Sequence, residues 1–277
     1  MVLKDELKKI YEYCAKLQEG DVASYIPELA NVNSNDFAIS LVTVDGQTIQ
    51  IGDTREEFTI QSICKPFSYA KCLEHFQPEE LLTKVGVEPT GEDYNSIAKL
   101  DNMKRPMNPM VNAGAIAICS FLKKEFRDDT EKELLNYFAH FTGREVSIDE
   151  TTFESEWRTT DRNRAIAYLL KNYDILTAGV QESLELYIKL CSLSLTTKDL
   201  ATMGATLANT GVNPVTGHSC VPPKNLSSIL SVMLTCGMYN YSGQWVFDIG
   251  LPAKSGVSGG VLMVVPDVMG IAVYSPR

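Results

Sequence analysis

The sequence has little positive charge and no long hydrophobic run. Its 277 residues include 25 lysines and arginines against 35 aspartates and glutamates, a net charge of -10. Proteins that bind nucleic acid neutralise phosphates with clustered lysine and arginine, so this balance argues against a nucleic-acid partner. A membrane-spanning helix needs about 18 or more consecutive apolar residues, and the sequence contains no such run. The composition is compatible with an enzyme that acts on a small molecule.

Metal-ligating residues are also sparse. The sequence has three separated histidines, His75, His140 and His218, and none of its seven cysteines forms a Cys-x-x-Cys pair. A zinc site has little to be built from, and we expect neither a metal nor another cofactor. Most cysteines lie in apolar segments, which is typical of reduced, buried thiols in a cytosolic protein. The charged, amphipathic N-terminus differs from a secretory signal, so we expect a cytoplasmic location.

A Ser-x-x-Lys pair at Ser62 and Lys65 is the first candidate for chemistry. On the first turn of a helix this spacing places a hydroxyl and an amine on one face, as a serine nucleophile and its lysine base require. The same spacing recurs at Ser68/Lys71, Ser96/Lys99 and Ser120/Lys123. A helix cap beside a solvated lysine is therefore an open alternative. Only Ser62 lies where a strand-like segment meets a helix-like one, a junction that favours negative charge.

The order of patterns along the chain predicts an α+β fold in which both chain ends contribute to one antiparallel sheet. Strand-like residues 36–44 and 48–51 flank an Asp45-Gly46 hairpin signal, and strand-like segments return at 245–249, 260–265 and 268–274. Residues 62–235 show mainly helical periodicity. We expect a single catalytic domain, residues 1–277, with a sheet subdomain (1–61 and 236–277) and a helical subdomain (62–235). The cleft between them is the expected site.

Two boundaries inside the helical block follow from local signals. Ser147-Ile-Asp-Glu150 has the pattern of a capping box, so a helix is expected to begin at Ser147. A further helix is expected over residues 180–193.

A Lys-Ser-Gly triplet and a tyrosine-containing turn lie late in the chain. Lys254-Ser-Gly256 resembles the Lys-Thr-Gly element of the penicillin-recognising acylases. A second cation near Lys65 would lower the pKa of that amine, so that a neutral base is available near about pH 7. The glycines would let backbone N–H groups approach a substrate carbonyl. Tyr239 could relay a proton to a leaving group. A surface lysine in a glycine-rich turn and a packed aromatic are the open alternatives.

Five blocks together resemble the serine-dependent glutaminase family, which has a β-lactamase-like fold. They are Ser62-Ile-Cys-Lys65, Asn108-Pro-Met-Val-Asn-Ala-Gly-Ala-Ile116, Asp161-Arg-Asn-Arg-Ala-Ile166, Cys236-Gly-Met-Tyr239 and Gly250-Leu-Pro-Ala-Lys-Ser-Gly-Val257. They occur in the family's order, and the resemblance extends from about Tyr25 to Pro276. Any one block would be a weak signal, whereas five in order are specific. The sequence is similar to the bacterial-type members.

The resemblance implies hydrolysis of L-glutamine to L-glutamate and ammonia, with Ser62 as the nucleophile and Lys65 as its general base. Tyr239 matches a tyrosine that assists proton transfer, and Lys254 matches the cation beside it. The amides of Ser62 and Val257 match the oxyanion hole. The substrate-binding positions that the resemblance implies are Tyr25, Ser62, Asn112, Glu156, Asn163, Tyr187, Tyr239 and Val257.

These implied roles are chemically consistent with a free amino acid as substrate. Its ammonium needs a negative partner, which Glu156 would supply, and its carboxylate needs donors, which amides and phenols would supply without adding charge. Taken singly, Asn112 would be a helix cap and Glu156 a surface carboxylate. The family forms dimers and tetramers, so a homodimer or homotetramer is expected, with no nucleic-acid or membrane partner.

Three other interpretations are open on the sequence alone. A penicillin-recognising serine acylase shares the Ser-x-x-Lys and Lys-Ser-Gly elements, but no secretory signal or Ser-Asp-Asn element is found. Catalysis by Cys64 is disfavoured because that residue would point away from Ser62 on a helix. A ligand sensor on an inactivated fold would have lost Ser62, Lys65 or Tyr239, and all three are present.

The sequence departs from the family pattern in two respects. Family members continue beyond the strand that ends here at Tyr274 with a segment that contains another helix. The animal mitochondrial members carry ankyrin repeats, which are absent here. The phosphate activation of those enzymes is therefore not expected.

Overall fold

The computed structural model describes residues 2–91 and 100–277. The α-helices are α1 (Val2–Cys14), α2 (Pro27–Ala30), α3 (Cys64–His75), α4 (Pro78–Leu82), α5 (Asn112–Phe126), α6 (Thr130–Thr142), α7 (Glu150–Thr159), α8 (Asp161–Asn172), α9 (Val180–Cys191), α10 (Thr197–Ala208), α11 (Pro223–Cys236) and α12 (Ser242–Asp248). The strands are β1 (Ala38–Thr43), β2 (Thr48–Gly52), β3 (Phe58–Thr59), β4 (Ser147–Ile148), β5 (Leu193–Leu195), β6 (Ala253–Ser255), β7 (Gly260–Val265) and β8 (Met269–Tyr274). Turns of 3-10 helix lie at Gln61–Ile63, Arg127–Asp129 and Tyr239–Tyr241.

The main sheet joins the two ends of the chain, as predicted. Its strand order is β2-β1-β8-β7-β6, and every neighbouring pair is antiparallel. The Asp45-Gly46 hairpin is confirmed, with Gly46 at φ +84°, where a side chain would be strained. On β7 and β8 buried residues alternate with partly exposed ones, whereas β1 is buried along most of its length. The α+β fold class predicted from the sequence is confirmed.

Helix α10 packs across the sheet, on β1, β7 and β8. The contact is close because glycines face each other: a Cβ atom on Gly270 would overlap the backbone of Ala201 and Ala205. The other face of β1 packs against α1, where Leu7 joins Ile39 in a small apolar cluster. The sheet is therefore covered on both sides, and α10 links it to the rest of the helices.

This close contact yields a stability prediction. Gly270→Ala should lower the free energy of unfolding by about 3 kcal/mol or more, because the clash is with helix backbone that cannot rotate away. Gly243→Ala is the matched control, since a Cβ there meets no atom within 4 Å and Gly243 is exposed in α12. That change should raise stability by about 0.5–1 kcal/mol through helix propensity. Urea denaturation measures both, and equal effects would contradict the packing argument.

A second, three-stranded sheet in the order β3-β5-β4 lies where the chain enters the helical block. Strand β3 leads directly into the 3-10 turn Gln61–Ile63, and α3 follows. The expected strand-to-helix junction at Ser62 is therefore present. Pro66 is the third residue of α3, so it lies in the first turn, where proline is tolerated.

The strand predicted at residues 245–249 is wrong. Residues 242–248 form α12, and the strand that returns to the sheet is β6, a few residues later. The apolar run Trp245-Val-Phe247 suggested a strand because aromatic and β-branched residues favour sheets. Here the Trp245 indole N–H donates to the carbonyl of Leu251 at 2.8 Å, while Phe247 is 86% exposed. The helix therefore forms, and makes this contact six residues along the chain, despite the strand propensity of the run.

Two predicted helix boundaries are also wrong. Asp149, not Ser147, caps α7: its carboxylate accepts from the N–H of Thr152 at 2.7 Å, and Ser147 pairs in β4. Helix α9 ends at Cys191, and Leu193–Leu195 forms the central strand of the small sheet. In both cases a pairing between distant short segments decides the boundary. The sequence gives little local signal for such pairings.

None of the helices in the described ranges combines the length and the apolar character that a membrane crossing requires. The division into a sheet subdomain and a helical subdomain remains a prediction.

Candidate active site

A cavity of about 460 Å³ opens on the face where the helices meet the end of β6. It is the size of cavity that encloses a small molecule. Every predicted substrate-binding residue lines it, namely Tyr25, Ser62, Asn112, Glu156, Asn163, Tyr187, Tyr239 and Val257. Lys65 and Lys254 lie buried beside it. The cavity therefore collects residues that are up to 232 positions apart in the sequence, from Tyr25 to Val257.

Ser62 lies in the 3-10 turn that precedes α3 and is partly exposed to the cavity. The residue before it, Gln61, has φ +51°, a left-handed conformation that is strained for a residue with a side chain. Strained backbone of this kind clusters at functional sites. The strained turn projects Ser62 at the cavity, where the start of α3 also favours negative charge.

The turn between β6 and β7 lies directly against the turn of Ser62. A Cβ atom on Gly256 would lie 2.7 Å from the carbonyl oxygen of Ile60, and one on Gly260 would lie 2.8 Å from the ring of Phe58. Glycine is therefore required for this close approach. The approach brings Val257 and Ser62 into the wall of one cavity, where an oxyanion hole would need their amides.

Lys65 is 1% exposed, and its amine is held by two partners. It donates to Asn112 Oδ1 at 2.7 Å and to Tyr239 OH at 3.3 Å. Within the described residues, the hydroxyl of Ser62 is not among its hydrogen-bond partners. Burial lowers the pKa of Lys65 from 10.5 to about 8. A substantial neutral fraction is therefore available close to neutral pH.

Lys254 is fully buried against the ring of Tyr239. Its amine lies 3.9 Å from the centroid of the Tyr239 ring and donates to the carbonyl of Ser255 at 2.7 Å. Burial, and then the nearby charge of Lys65, hold the pKa of Lys254 well below its usual value. Tyr239 contacts both amines, with Lys65 Nζ 5.4 Å from its ring centroid, and its φ of +55° makes it the second left-handed residue of the site.

The competing Ser-x-x-Lys pairs have none of these surroundings. The Ser68 and Ser120 hydroxyls donate to carbonyls of their own helices, those of Cys64 and Ala117, at 3.0 and 2.7 Å. Lys71 forms an ion pair with Glu74 at 2.7 Å. Ser96 and Lys99 lie outside the described residues. Ser68 and Ser120 are therefore buried hydroxyls, each bonded back to its own helix, and neither lines the cavity.

The wall of the cavity also carries a carboxylate. Glu156 projects from α7, and Tyr25 OH donates to its Oε1 at 2.5 Å. Burial raises the pKa of Glu156 from 4.5 to about 6, against the lowering effect of hydrogen bonds from Tyr25 and Gln61. The carboxylate is therefore ionised at neutral pH, although its environment resists the charge.

Hydrogen-bonded side-chain amides also line the cavity. Asn112 Nδ2 donates to Asn163 Oδ1 at 3.0 Å, and Asn163 Nδ2 donates to the hydroxyl of Thr160 at 3.0 Å. Tyr187 OH donates to Asn112 Oδ1 at 3.1 Å. Burial raises the pKa of Tyr187 well above its usual value, so its hydroxyl remains a donor. Asn112 is the first residue of α5, not its cap, and its oxygen holds Lys65.

Sequence reasoning missed several residues that line the cavity, among them Gln61, Thr160 and Arg162. Gln61 and Arg162 adjoin predicted site residues in the sequence, and that adjacency was the one available signal. Arg162 adds a cation to a wall whose predicted members include one carboxylate. No group of three or more His, Cys, Asp or Glu side chains that could hold a metal occurs in the part of the chain that the structure describes.

Comparisons with known proteins agree on one family. The sequence model of the glutaminase family matches residues 20–277. A glutaminase of Nostoc sp. (strain PCC 7120) is 51% identical over 260 residues, which cover 94% of this chain and 78% of the relative. A glutaminase of Microcystis aeruginosa is 45% identical over 273 residues, 99% of this chain and 81% of the relative.

Solved structures agree. A probable glutaminase, ybaS, superposes with a TM-score of 0.96 at 39% identity and covers 99% of this chain and 89% of its own. Mglu in its glutamate form superposes with a TM-score of 0.93 at 37% identity, covering 100% of this chain and 64% of that one. These matches confirm the β-lactamase-like arrangement predicted from the sequence.

Proposed function

The chain belongs to the glutaminase family of amidohydrolases, and from that premise we propose that it hydrolyses L-glutamine to L-glutamate and ammonia through an acyl-enzyme on Ser62. The observation that carries the proposal is the arrangement around one cavity. Two buried amines lie against Tyr239, and the wall of the cavity that holds Ser62 and Tyr239 also holds the Glu156 carboxylate. A zwitterionic amino acid with a side-chain amide has matching groups.

In the first step, Ser62 Oγ attacks the carboxamide carbon of glutamine and its proton passes to neutral Lys65. For this transfer Lys65 Nζ exchanges one of its present partners, Asn112 or Tyr239, for the serine hydroxyl. Catalytic hydrogen bonds are often incomplete before substrate binds. The carbonyl oxygen becomes an oxyanion, which the amides of Ser62 and Val257 stabilise.

In the second step, the tetrahedral intermediate expels ammonia, and the leaving nitrogen takes a proton. Tyr239 supplies this proton and is reprotonated by Lys65, to which it is hydrogen-bonded at 3.3 Å. Lys254, 3.9 Å from the ring centroid of Tyr239, stabilises the phenolate while the proton is in transit. Water then hydrolyses the glutamyl ester on Ser62 with Lys65 again as the base, which restores the enzyme.

Substrate orientation follows from the charges of the cavity. Glu156 pairs with the α-ammonium of glutamine, and Tyr25 holds that carboxylate in place. The amides of Asn112 and Asn163 and the hydroxyl of Tyr187 bind the α-carboxylate. This fixes the side-chain amide at Ser62.

Ammonia release tests the proposal. Purified protein should release ammonia from glutamine, far more slowly from asparagine, and should not open a chromogenic β-lactam. A β-lactam turned over in preference to glutamine would instead support the penicillin-recognising acylase interpretation.

Glu156→Gln should raise KM for glutamine about 100-fold with a smaller change in kcat, because a partly buried ion pair with the substrate ammonium is lost. In the wild type, kcat/KM should fall below about pH 6 as Glu156 becomes protonated. This fall in kcat/KM at low pH should be absent from Glu156→Gln. Steady-state kinetics between pH 5 and about pH 8 measure both effects.

Glu154→Gln is the control on the same helix, because Glu154 pairs with Arg158 at the exposed surface at 2.8 Å. Its kinetics should match those of the wild type.

Glu156→Gln should also stabilise the fold. The pKa of the Glu156 carboxyl is about 6 in the native protein and 4.5 in the unfolded chain, so the free energy of unfolding falls as pH rises from 4.5 to about 6. Above about pH 6 the charged carboxylate lowers the free energy of unfolding by about 1–2 kcal/mol. An unchanged KM would remove Glu156 from the substrate site.

The remaining features of the proposal rest on the family resemblance. We propose a homodimer or homotetramer in the cytoplasm, with L-glutamine as the small-molecule partner. Sedimentation equilibrium gives the oligomeric state directly.

A further inference from the structure

Two cysteine thiols meet at the active site. Cys64 Sγ and Cys191 Sγ lie 3.9 Å apart, and both residues are buried. Cys64 occupies the Ser-x-x-Lys element, directly before Lys65. Cys191 ends α9, four residues after Tyr187, and lines the substrate cavity. The proposed mechanism uses neither thiol.

We propose that Cys64 and Cys191 form an oxidation-sensitive dithiol, which a small hydroperoxide entering the substrate cavity converts to a disulfide that inhibits the enzyme. The thiol of Cys191 attacks the peroxide oxygen, giving a sulfenic acid and, from hydrogen peroxide, water. The thiol of Cys64 then displaces the hydroxyl of this sulfenic acid, which leaves as a second water. Overall, two thiols and one hydrogen peroxide give one disulfide and two waters.

The geometry favours this pairing over the alternatives. All seven cysteines are free, and five others could also be oxidised. Cys14 is partly exposed on α1 and does not line the cavity. Cys191 alone among the cysteines lines the cavity within the described residues, and its neighbour Cys64 is within reach of a resolving step. Burial holds the pKa of Cys191 well above its usual value, so the reaction should be slow at neutral pH and faster in alkali.

The disulfide would disturb the catalytic groups through the backbone. A disulfide bond requires the sulfur atoms to approach from 3.9 Å to about 2.05 Å. The start of α3 and the end of α9 must then move together. These elements carry Lys65 and Tyr187, which are both bonded to Asn112 Oδ1, at 2.7 and 3.1 Å. A displacement of about 1 Å at such a site can lower the rate by about 100-fold.

The experiment treats the purified protein with hydrogen peroxide at about pH 8.5, because the raised pKa of the Cys191 thiol makes the reaction faster in alkali, and follows mass and activity together. We expect a peptide that links Cys64 to Cys191 with the loss of two hydrogens. Ammonia release from glutamine should fall about 10-fold or more and recover with dithiothreitol. Glutamate at saturating concentration should slow the cross-link, because it occupies the route to Cys191. The protection arm rests on the proposed function, whereas the mass readout does not.

Variants separate the dithiol from general oxidation. Cys191→Ala and Cys64→Ser should each lose both the cross-link and the dithiothreitol-reversible inhibition, measured as the ratio of oxidised to reduced activity for each variant. Cys14→Ser should respond like the wild type. If neither cavity variant folds, peptide mapping of the wild type alone decides the pairing. Oxidation of Cys14 without a Cys64–Cys191 peptide, or the cross-link with unchanged activity, would overturn the proposal.

Discussion

Replacing Ser62 with alanine is expected to lower kcat for glutamine by about 10⁴-fold or more, because the acyl-enzyme can no longer form. Ser62 lies in the strained turn before α3 and in the wall of the cavity that also holds Glu156. Substrate binding rests on other residues, so the variant should still bind glutamate. Ammonia release and isothermal titration with glutamate measure the two properties separately.

Ser68→Ala is the matched control, since Ser68 has the same spacing to a lysine on the same helix. Its hydroxyl donates to the carbonyl of Cys64 at 3.0 Å and does not line the cavity. This variant should keep nearly full activity. Retained turnover in Ser62→Ala together with its loss in Cys64→Ala would instead indicate a cysteine mechanism.

The sequence predicts which residues form the candidate site better than it predicts how they are arranged. The hairpin at Asp45-Gly46 and the apolar strands near the C-terminus allowed the main sheet to be predicted, because both patterns are local. The Ser-x-x-Lys spacing alone did not separate Ser62 from Ser68 or Ser120. Five ordered blocks did, since each adds independent residues to the comparison.

Other features depend on contacts between distant residues. Gln61 and Tyr239 have strained φ angles because of the turns that surround them, and glutamine and tyrosine do not predict such angles in a sequence. The segment at Trp245 was predicted as a strand because its composition favours one, and here the indole's partner, the Leu251 carbonyl, is only six residues along the chain. The β5 pairing with β3 and β4 joins segments more than forty residues apart. Such contacts are set by tertiary packing.

Lys65→Met should lower kcat/KM by about 10³-fold or more, since methionine keeps the length of the side chain but supplies no base. The proposed base acts as the neutral amine. Because burial lowers its pKa to about 8, kcat/KM of the wild type should rise with pH and level off above about pH 8. Lys65→Met should lose this pH-dependent rise together with most of the value of kcat/KM. A pH profile that keeps the rise in the variant would assign it to another group.

The same substitution should make the protein more stable, which separates a catalytic lysine from a structural one. Between about pH 8 and 10.5 the unfolded chain holds more protons than the native one, so stability rises with pH through that interval. Below about pH 8 the buried charge destabilises the fold by about 3 kcal/mol. Lys65→Met removes this destabilising charge. The Asn112 oxygen that loses its lysine partner still accepts a hydrogen bond from Tyr187 OH at 3.1 Å.

Lys71→Met, on the same helix, should behave in the opposite way. Lys71 pairs with Glu74 at 2.7 Å with 15% of its side chain exposed, so its loss strands a largely buried carboxylate and should lower stability by about 2 kcal/mol. Its activity should remain close to that of the wild type. Urea denaturation at pH 7 with parallel kinetics therefore gives opposite signs for two lysines six positions apart. If both variants were destabilised and both active, neither would be the base, and the proton of Ser62 would have to pass to Tyr239.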